Sequence, residues 1–320
     1  MAELRSSIDE QSVDYLGLLT TILTFLFIDL VQGTSKTWRY HLSAGWDFVQ
    51  QHRASCKWAG SDDAWYVTQS FYLLRIESET SLMWHDGADL LEERVSPSED
   101  AVSLEKLSNY PLFGRTIGAS SSILSYLSEI NHLSRHMMKS NFEDYDDSTL
   151  LNFERMFIFE SNAEFLDPEG QESLEDHSQR PSYNEQKAQE MHLRAFEAAA
   201  VIYYHQVAED ATPKYLAPYV HAVLHYVFIF LKHCGGNYTL WPVFIAGVEA
   251  YEDCDMEKFS DLFENATSMG MRNRKKARQV MEAVWSTRSS ITAQTGQNPG
   301  EVRVNWTQVM RGLDIDILLV

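Results

Sequence analysis

Apolar side chains recur at steps of three and four along nearly the whole chain, and no stretch alternates apolar and polar residues between hairpin turns. The pattern predicts an all-α protein. Ile123, Leu127, Ile130, Leu133 and Met137 form one stripe on an amphipathic helix. Leu193, Phe196, Ala200, Tyr203 and Val207 form another, on an alanine-rich helix suited to close packing against a neighbour. The run at 15–31 is apolar but short for a bilayer, is interrupted by Asp29 and follows an acidic flank. It reads as a buried helix and not as an anchor. Over residues 219–231 the apolar positions run right round the helix, the mark of a central, fully surrounded element. Thr212 and Pro213 offer a cap and a first-turn proline, with Pro218 marking a later start or a kink, and Ser96, Pro97 and Glu99 spell a capping-box start.

Residues 161–187 break this regularity. They hold proline, glycine, serine and many charges with few large apolar side chains, so burial cannot offset the entropy of ordering them, and a long flexible acidic surface loop is expected. No repeat at a solenoid period is present. The expected organisation is a tail over 1–14 and one multi-helix array over 15–320, built around a central apolar helix.

Charge narrows the function. Lys and Arg number 26 against 46 Asp and Glu, a net −20, which repels phosphate backbones. Residues 141–190 concentrate it, with fourteen acids against Arg155, Arg180 and Lys187. The three cysteines, Cys56, Cys234 and Cys254, are too far apart for a local metal motif and odd in number for a disulfide framework, which points to a soluble protein of a reducing compartment. Neither a nucleophile elbow, a phosphate loop nor a dinucleotide fingerprint occurs, so no catalytic residue, cofactor or metal is assigned.

Three groups of residues merit a chemical reading. His132 with His136, and His221 with His225, are four apart and share a helix face, but each pair lacks a local third ligand, so boundary or hydrogen-bonded core histidines are expected. Asp144, Asp146 and Asp147 do not have the register of a metal-diphosphate motif and read as a solvated helix start. Arg272, Arg274, Lys275, Lys276 and Arg278 form a basic run, a candidate partner-contact or import patch, beside the apolar stripe Ala277, Val280, Met281, Val284 and Trp285.

The most distinctive strings are WRYHLSAGWDFV at 38–49, LWPVFIAGVEAY at 240–251 and VMEAVW at 280–285. Together they resemble the helical regulatory domain of fungal binuclear-zinc-cluster transcription factors, the subgroup marked by a Trp-Pro-x-Phe-x-Ala-Gly-x-Glu segment. The order of elements is also similar: an apolar helix at 15–31, the Trp-x-x-His-x-x-x-Gly helix, a hydrophobic helix at 64–76, an Ala-rich helix ending IYYH, the Trp-Pro segment, and Trp306 before a short apolar tail. The likeness covers roughly residues 15–320, and the six closely spaced cysteines of the family's DNA-binding head are absent from this chain. The signature positions are Trp38, His41, Gly45, Trp241, Pro242, Phe244, Gly247, Glu249, Trp285 and Trp306. Trp241-Pro242 sets how the chain enters a helix, and Gly45 and Gly247 permit close helix approach, so scaffold roles are expected for them.

The resemblance implies a nuclear or cytoplasmic transcription regulator of a fungal metabolic or secondary-metabolite gene set. It would act through protein partners, such as a second copy or a full-length zinc-cluster factor, or through a small-molecule effector, without direct nucleic-acid or membrane binding. The alternative is a small-molecule-binding biosynthetic protein or enzyme on the same helical scaffold. Without a basic reading element, the purified chain is expected to give no sequence-selective band with duplex DNA in a gel shift at physiological salt. A zinc-dependent, sequence-selective band would overturn this.

Overall fold

In the computed structural model, residues 14–33, 37–82, 97–109, 113, 118–139, 181–234, 238–267 and 271–320 are described. Among them are eleven α-helices and no strand, as the apolar spacing predicts. In chain order these are α1 (Tyr15–Gln32), α2 (Trp38–His52), α3 (Asp62–Leu82), α4 (Pro97–Ser108), α5 (Ser121–Lys139) and α6 (Pro181–Ala208). They are followed by α7 (Pro213–Cys234), α8 (Leu240–Glu249), α9 (Asp253–Thr267), α10 (Arg272–Thr295) and α11 (Trp306–Gly312), with short 3-10 turns at Lys57–Gly60 and Pro299–Glu301. The expected tail up to residue 13, the acidic stretch with Asp144, Asp146 and Asp147, and residues 161–180 of the expected loop lie outside the described residues, as do the side chains of His136, Met137 and Cys234.

Residues 181–187, expected in the loop, instead form the first turns of α6. Pro181 opens the helix, where a fixed φ suits the first turn, and Ala188 and Met191 are buried further on. Burial downstream therefore supports polar turns that could not hold themselves. Helix α4 likewise begins on Pro97, and α7 begins on Pro213, with Thr212 Oγ1 accepting from Tyr215 N at 3.4 Å. Pro218 sits exposed inside α7.

The fully surrounded helix is α8, not α7. All ten residues from Leu240 to Glu249 are buried, whereas α7 leaves Tyr215 and Phe228 exposed and turns His221 outward. Helix α7 pairs along its length with α6, and α8 packs against both and against α9 and α10. Because α7 is wide in apolar positions but covered on one side only, its outer residues remain at the surface. Helix α1 is similar: Leu19, Ile22, Leu23, Leu26 and Leu30 face the core while Phe25, Phe27, Ile28 and Val31 are exposed. By length and composition, α1 and the stretch Pro213–His233 are each apolar enough to cross a membrane; here each contributes a face to the common core.

Trp241 anchors the centre. Its indole is stacked on Phe196 (centroids 5.7 Å, 13° between planes), meets Tyr203 edge-on at 6.0 Å and donates Nε1–H to Thr80 Oγ1 at 3.1 Å. One side chain thus joins α8 to α6 and α3. Phe244 meets Trp306 edge-on at 5.1 Å, and Gly247 lets α10 approach so closely that a Cβ there would lie 2.5 Å from Met281 Sδ. At the other side of the array, a Cβ on Gly45 of α2 would overlap the Phe71 ring of α3 and come within 3.0 Å of Ile22 Cγ2 of α1. Trp241→Ala is expected to destabilise by about 3–5 kcal/mol through lost packing and a cavity. Trp241→Phe, which keeps a ring and loses the Nε1–H bond, is expected to cost about 1 kcal/mol from that bond. Denaturant melts of both variants check this, and an unchanged midpoint in the alanine variant contradicts it.

Candidate functional site

From Phe71 to Ser81 every residue of α3 is buried, although Arg75, Glu77, Ser78, Glu79, Thr80 and Ser81 are polar. Buried charges of this kind persist only when paired and hydrogen-bonded. Arg75 donates through Nη1 to Glu79 Oε1 and through Nη2 to Asp100 Oδ2, both at 2.5 Å. Ser128 Oγ donates to the same Asp100 oxygen at 2.6 Å. The second oxygen of Glu79 faces Arg135 Nη1 at 3.4 Å and Asn131 Nδ2 at 3.5 Å; Asn131 Oδ1 accepts from Tyr203 OH at 2.9 Å. The guanidinium of Arg75 lies 4.0 Å from the Trp46 ring centroid. Helices α2, α3, α4, α5 and α6 each supply a member, so the network ties together segments from Trp46 to Tyr203.

Electrostatics within it are strongly shifted. Burial alone would lower the Arg75 pKa, but the Asp100 and Glu79 carboxylates more than offset this and hold it above its ordinary value. Burial raises the Tyr203 hydroxyl. Glu77, one turn face away, has neither carboxylate oxygen hydrogen-bonded among the described residues, and burial pushes its carboxyl well above the usual range, favouring the neutral acid. Two nitrogens of the network, Arg75 Nε and Arg135 Nη2, are also buried without a partner among the described residues.

The signature residues fall into two groups. Trp241, Pro242, Phe244, Gly247 and Glu249 lie on α8; Trp285 donates Nε1–H to Gly247 O at 2.8 Å, and Trp306 covers Phe244. Burial raises the Glu249 carboxyl, opposed by Arg288 and by Gln206, whose Nε2 donates to it at 2.8 Å. Trp38, His41 and Gly45 lie on α2. Trp38 is buried, and His41 Nδ1 is 3.2 Å from Asp29 Oδ2 with its ring stacked on Phe25.

The basic run divides. Arg272 and Lys275 are exposed, Lys276 Nζ reaches Asp316 O at 3.5 Å, and Arg278 pairs with Glu282 at 2.7 Å. Arg274 leaves the candidate patch: it is buried, donates to Tyr238 O and lies 4.4 Å from the Tyr238 ring centroid. Its spacing explains this, since Arg274, Ala277, Met281, Trp285 and Arg288 lie on one helical stripe and all are buried. Of the candidate histidines, His132 is half-buried on α5 and His225 half-buried on α7, while His221 is turned outward.

The ionic network was not evident from the sequence. Only the four-residue spacing of Arg75 and Glu79 signalled a pair; Asp100, Asn131 and Tyr203 are distant in sequence, and RIESETS at 75–81 has the composition of a solvated helix end.

In comparison with known proteins, a family model described as the fungal specific transcription factor domain matches residues 1–320. No curated protein and no solved structure matches.

The position of Glu77 has a pH signature. Its folded-state pKa exceeds the unfolded value, so the folded chain holds a proton that the unfolded chain releases, and stability declines as pH rises above about 4.5 toward the folded pKa. Glu77→Gln removes this term. The variant is expected to melt with the wild type near about pH 4 and several degrees above it by about pH 8. Parallel melting curves across that range would refute the assignment.

Proposed function

Because the chain belongs to the fungal specific transcription factor domain family, we propose that it regulates transcription through protein partners or a sensed small molecule and does not read DNA itself. The family match over all 320 residues is the observation that carries this reading. A net charge of −20 and the three dispersed cysteines support the indirect mode, since the sequence has no basic excess to attract phosphates and no closely spaced cysteines to hold a zinc cluster. The proposed setting is the nucleus, and the proposed targets are a metabolic or secondary-metabolite gene set.

One feature suits such a regulator. Phe25, Phe27, Ile28 and Val31 give α1 an exposed apolar face, of the type that protein contacts use, available to a second copy or to a full-length zinc-cluster factor.

A regulator alters transcript levels, whereas a biosynthetic enzyme alters metabolite flow with transcripts intact. Deleting the gene in its native host is expected to lower the messengers of a group of genes, and adding the purified protein to an extract of the mutant is expected to restore no product. Normal transcripts with an accumulating intermediate, converted by the purified protein in vitro, would replace the regulator with an enzyme on the same scaffold.

A further inference from the structure

At the start of α9 the chain presents Glu252, Cys254 and Asp255, and α7 sends an imidazole to meet them. His221 Nε2 lies 2.8 Å from Asp255 Oδ2. One donor atom from each of His221, Glu252 and Asp255 can be taken so that all lie within 4.8 Å of one another. Cys254 Sγ is 3.9 Å from Glu252 Oε2 and 3.8 Å from Asp255 Oδ1. An imidazole nitrogen and two carboxylates, with His221 and Asp255 separated by 34 residues of sequence, therefore face one another, and the Cys254 sulfur lies beside both carboxylates.

The surroundings prepare these groups unequally. The Asp255 side chain is 5% exposed and its Oδ1 is held by Lys258 Nζ at 3.0 Å, which leaves Oδ2 directed at the imidazole. His221, Glu252 and Cys254 are at the surface, where their side chains can adjust and water can reach them. Tetrahedral zinc, with bonds of about 2.0–2.3 Å, needs donor separations of roughly 3.3–3.8 Å, so a closure of about 1 Å brings the His221, Glu252 and Asp255 donors to that spacing, and rotation of the exposed Cys254 side chain supplies the fourth.

We propose that His221, Glu252, Cys254 and Asp255 form a binding site for one divalent transition-metal ion of the zinc class, joining α7 to the start of α9. Imidazole and thiolate donors select against magnesium and calcium, which take oxygen ligands. Binding replaces the His221–Asp255 hydrogen bond by two metal bonds, and the Cys254 thiol gives its proton to solvent as the sulfur enters the coordination sphere. The ion pair of Lys258 with Asp255 Oδ1 remains, because the metal uses the other oxygen. This site is independent of the regulatory reading above.

Cobalt(II) titration of the full chain, followed by visible and near-ultraviolet absorption, tests it. The expected result is one equivalent bound, with tetrahedral visible bands and a thiolate-to-cobalt charge-transfer band, displaced by zinc and not by magnesium. The double variant His221→Ala/Glu252→Gln, altered at two exposed side chains and so expected to keep its circular dichroism without metal, should lose affinity by more than the roughly 10–100-fold that follows loss of an outer-shell partner. Cys254→Ser should lose the charge-transfer band. No saturable binding, a wild-type spectrum without the thiolate band, or undiminished binding in the double variant would each overturn the proposal.

Discussion

A helix with no side facing water must have the backbone groups at its ends satisfied from inside the protein, and α8 meets the carbonyl half of this demand through α10. At its C-terminal end, Trp285 Nε1 donates to Gly247 O, and Arg288 donates to Val248 O at 3.0 Å and Ala250 O at 2.7 Å. Ahead of its first turn, Arg274 donates to Tyr238 O and so fixes the incoming chain. The two guanidiniums are fourteen residues apart on α10, about 21 Å along its axis, and so bracket a helix about 15 Å long. Arg288 also donates to Val302 O at 3.1 Å, which attaches the segment leading to α11. Where α8 lies therefore determines where α10 and the C-terminal segments must lie.

The C-terminal segment completes the arrangement on the far side. Arg39 of α2 makes a two-point ion pair with Asp316, both distances 2.8 Å, while Asn273 Nδ2 donates to Leu318 O at 3.2 Å and Ser81 Oγ to Ile317 O at 2.9 Å. With Ile317, Leu318 and Leu319 buried, the last residues serve as a wedge between α2, α3 and α10. Polar side chains on two of these helices, Ser81 of α3 and Asn273 of α10, thus recognise backbone, a use of buried polarity quite different from the charge pairing around Arg75.

The helical class and the stripes on α5 and α6 were legible because their apolar residues repeat over three or more turns. The Trp-Pro and Trp-x-x-His strings made the family recognisable, and the resemblance is borne out by the match over the whole chain. Helix α8 was missed as the centre because ten almost wholly apolar residues carry no periodicity to read, whereas α7 is longer and so dominated the hydropathy. Arg274 was legible in principle, lying on the stripe of Ala277 and Met281; charge alone made it look solvent-bound. The α3 network was not legible, since its partners come from four other helices and their proximity is a property of the packed array.

Arg75 also governs how the molecule can come apart. Its guanidinium is fully enclosed, and so are the carboxylates of Glu79 and Asp100. Withdrawing α4 alone would strand a charge on α3 out of reach of water, and peeling off α5 would remove Ser128 from Asp100 and both Asn131 and Arg135 from Glu79. Stepwise fraying is therefore penalised at every stage, while simultaneous hydration of all partners is not. Helices α3, α4 and α5 accordingly constitute a single cooperative unit, whose backbone amides would exchange with solvent in one concerted opening and not helix by helix.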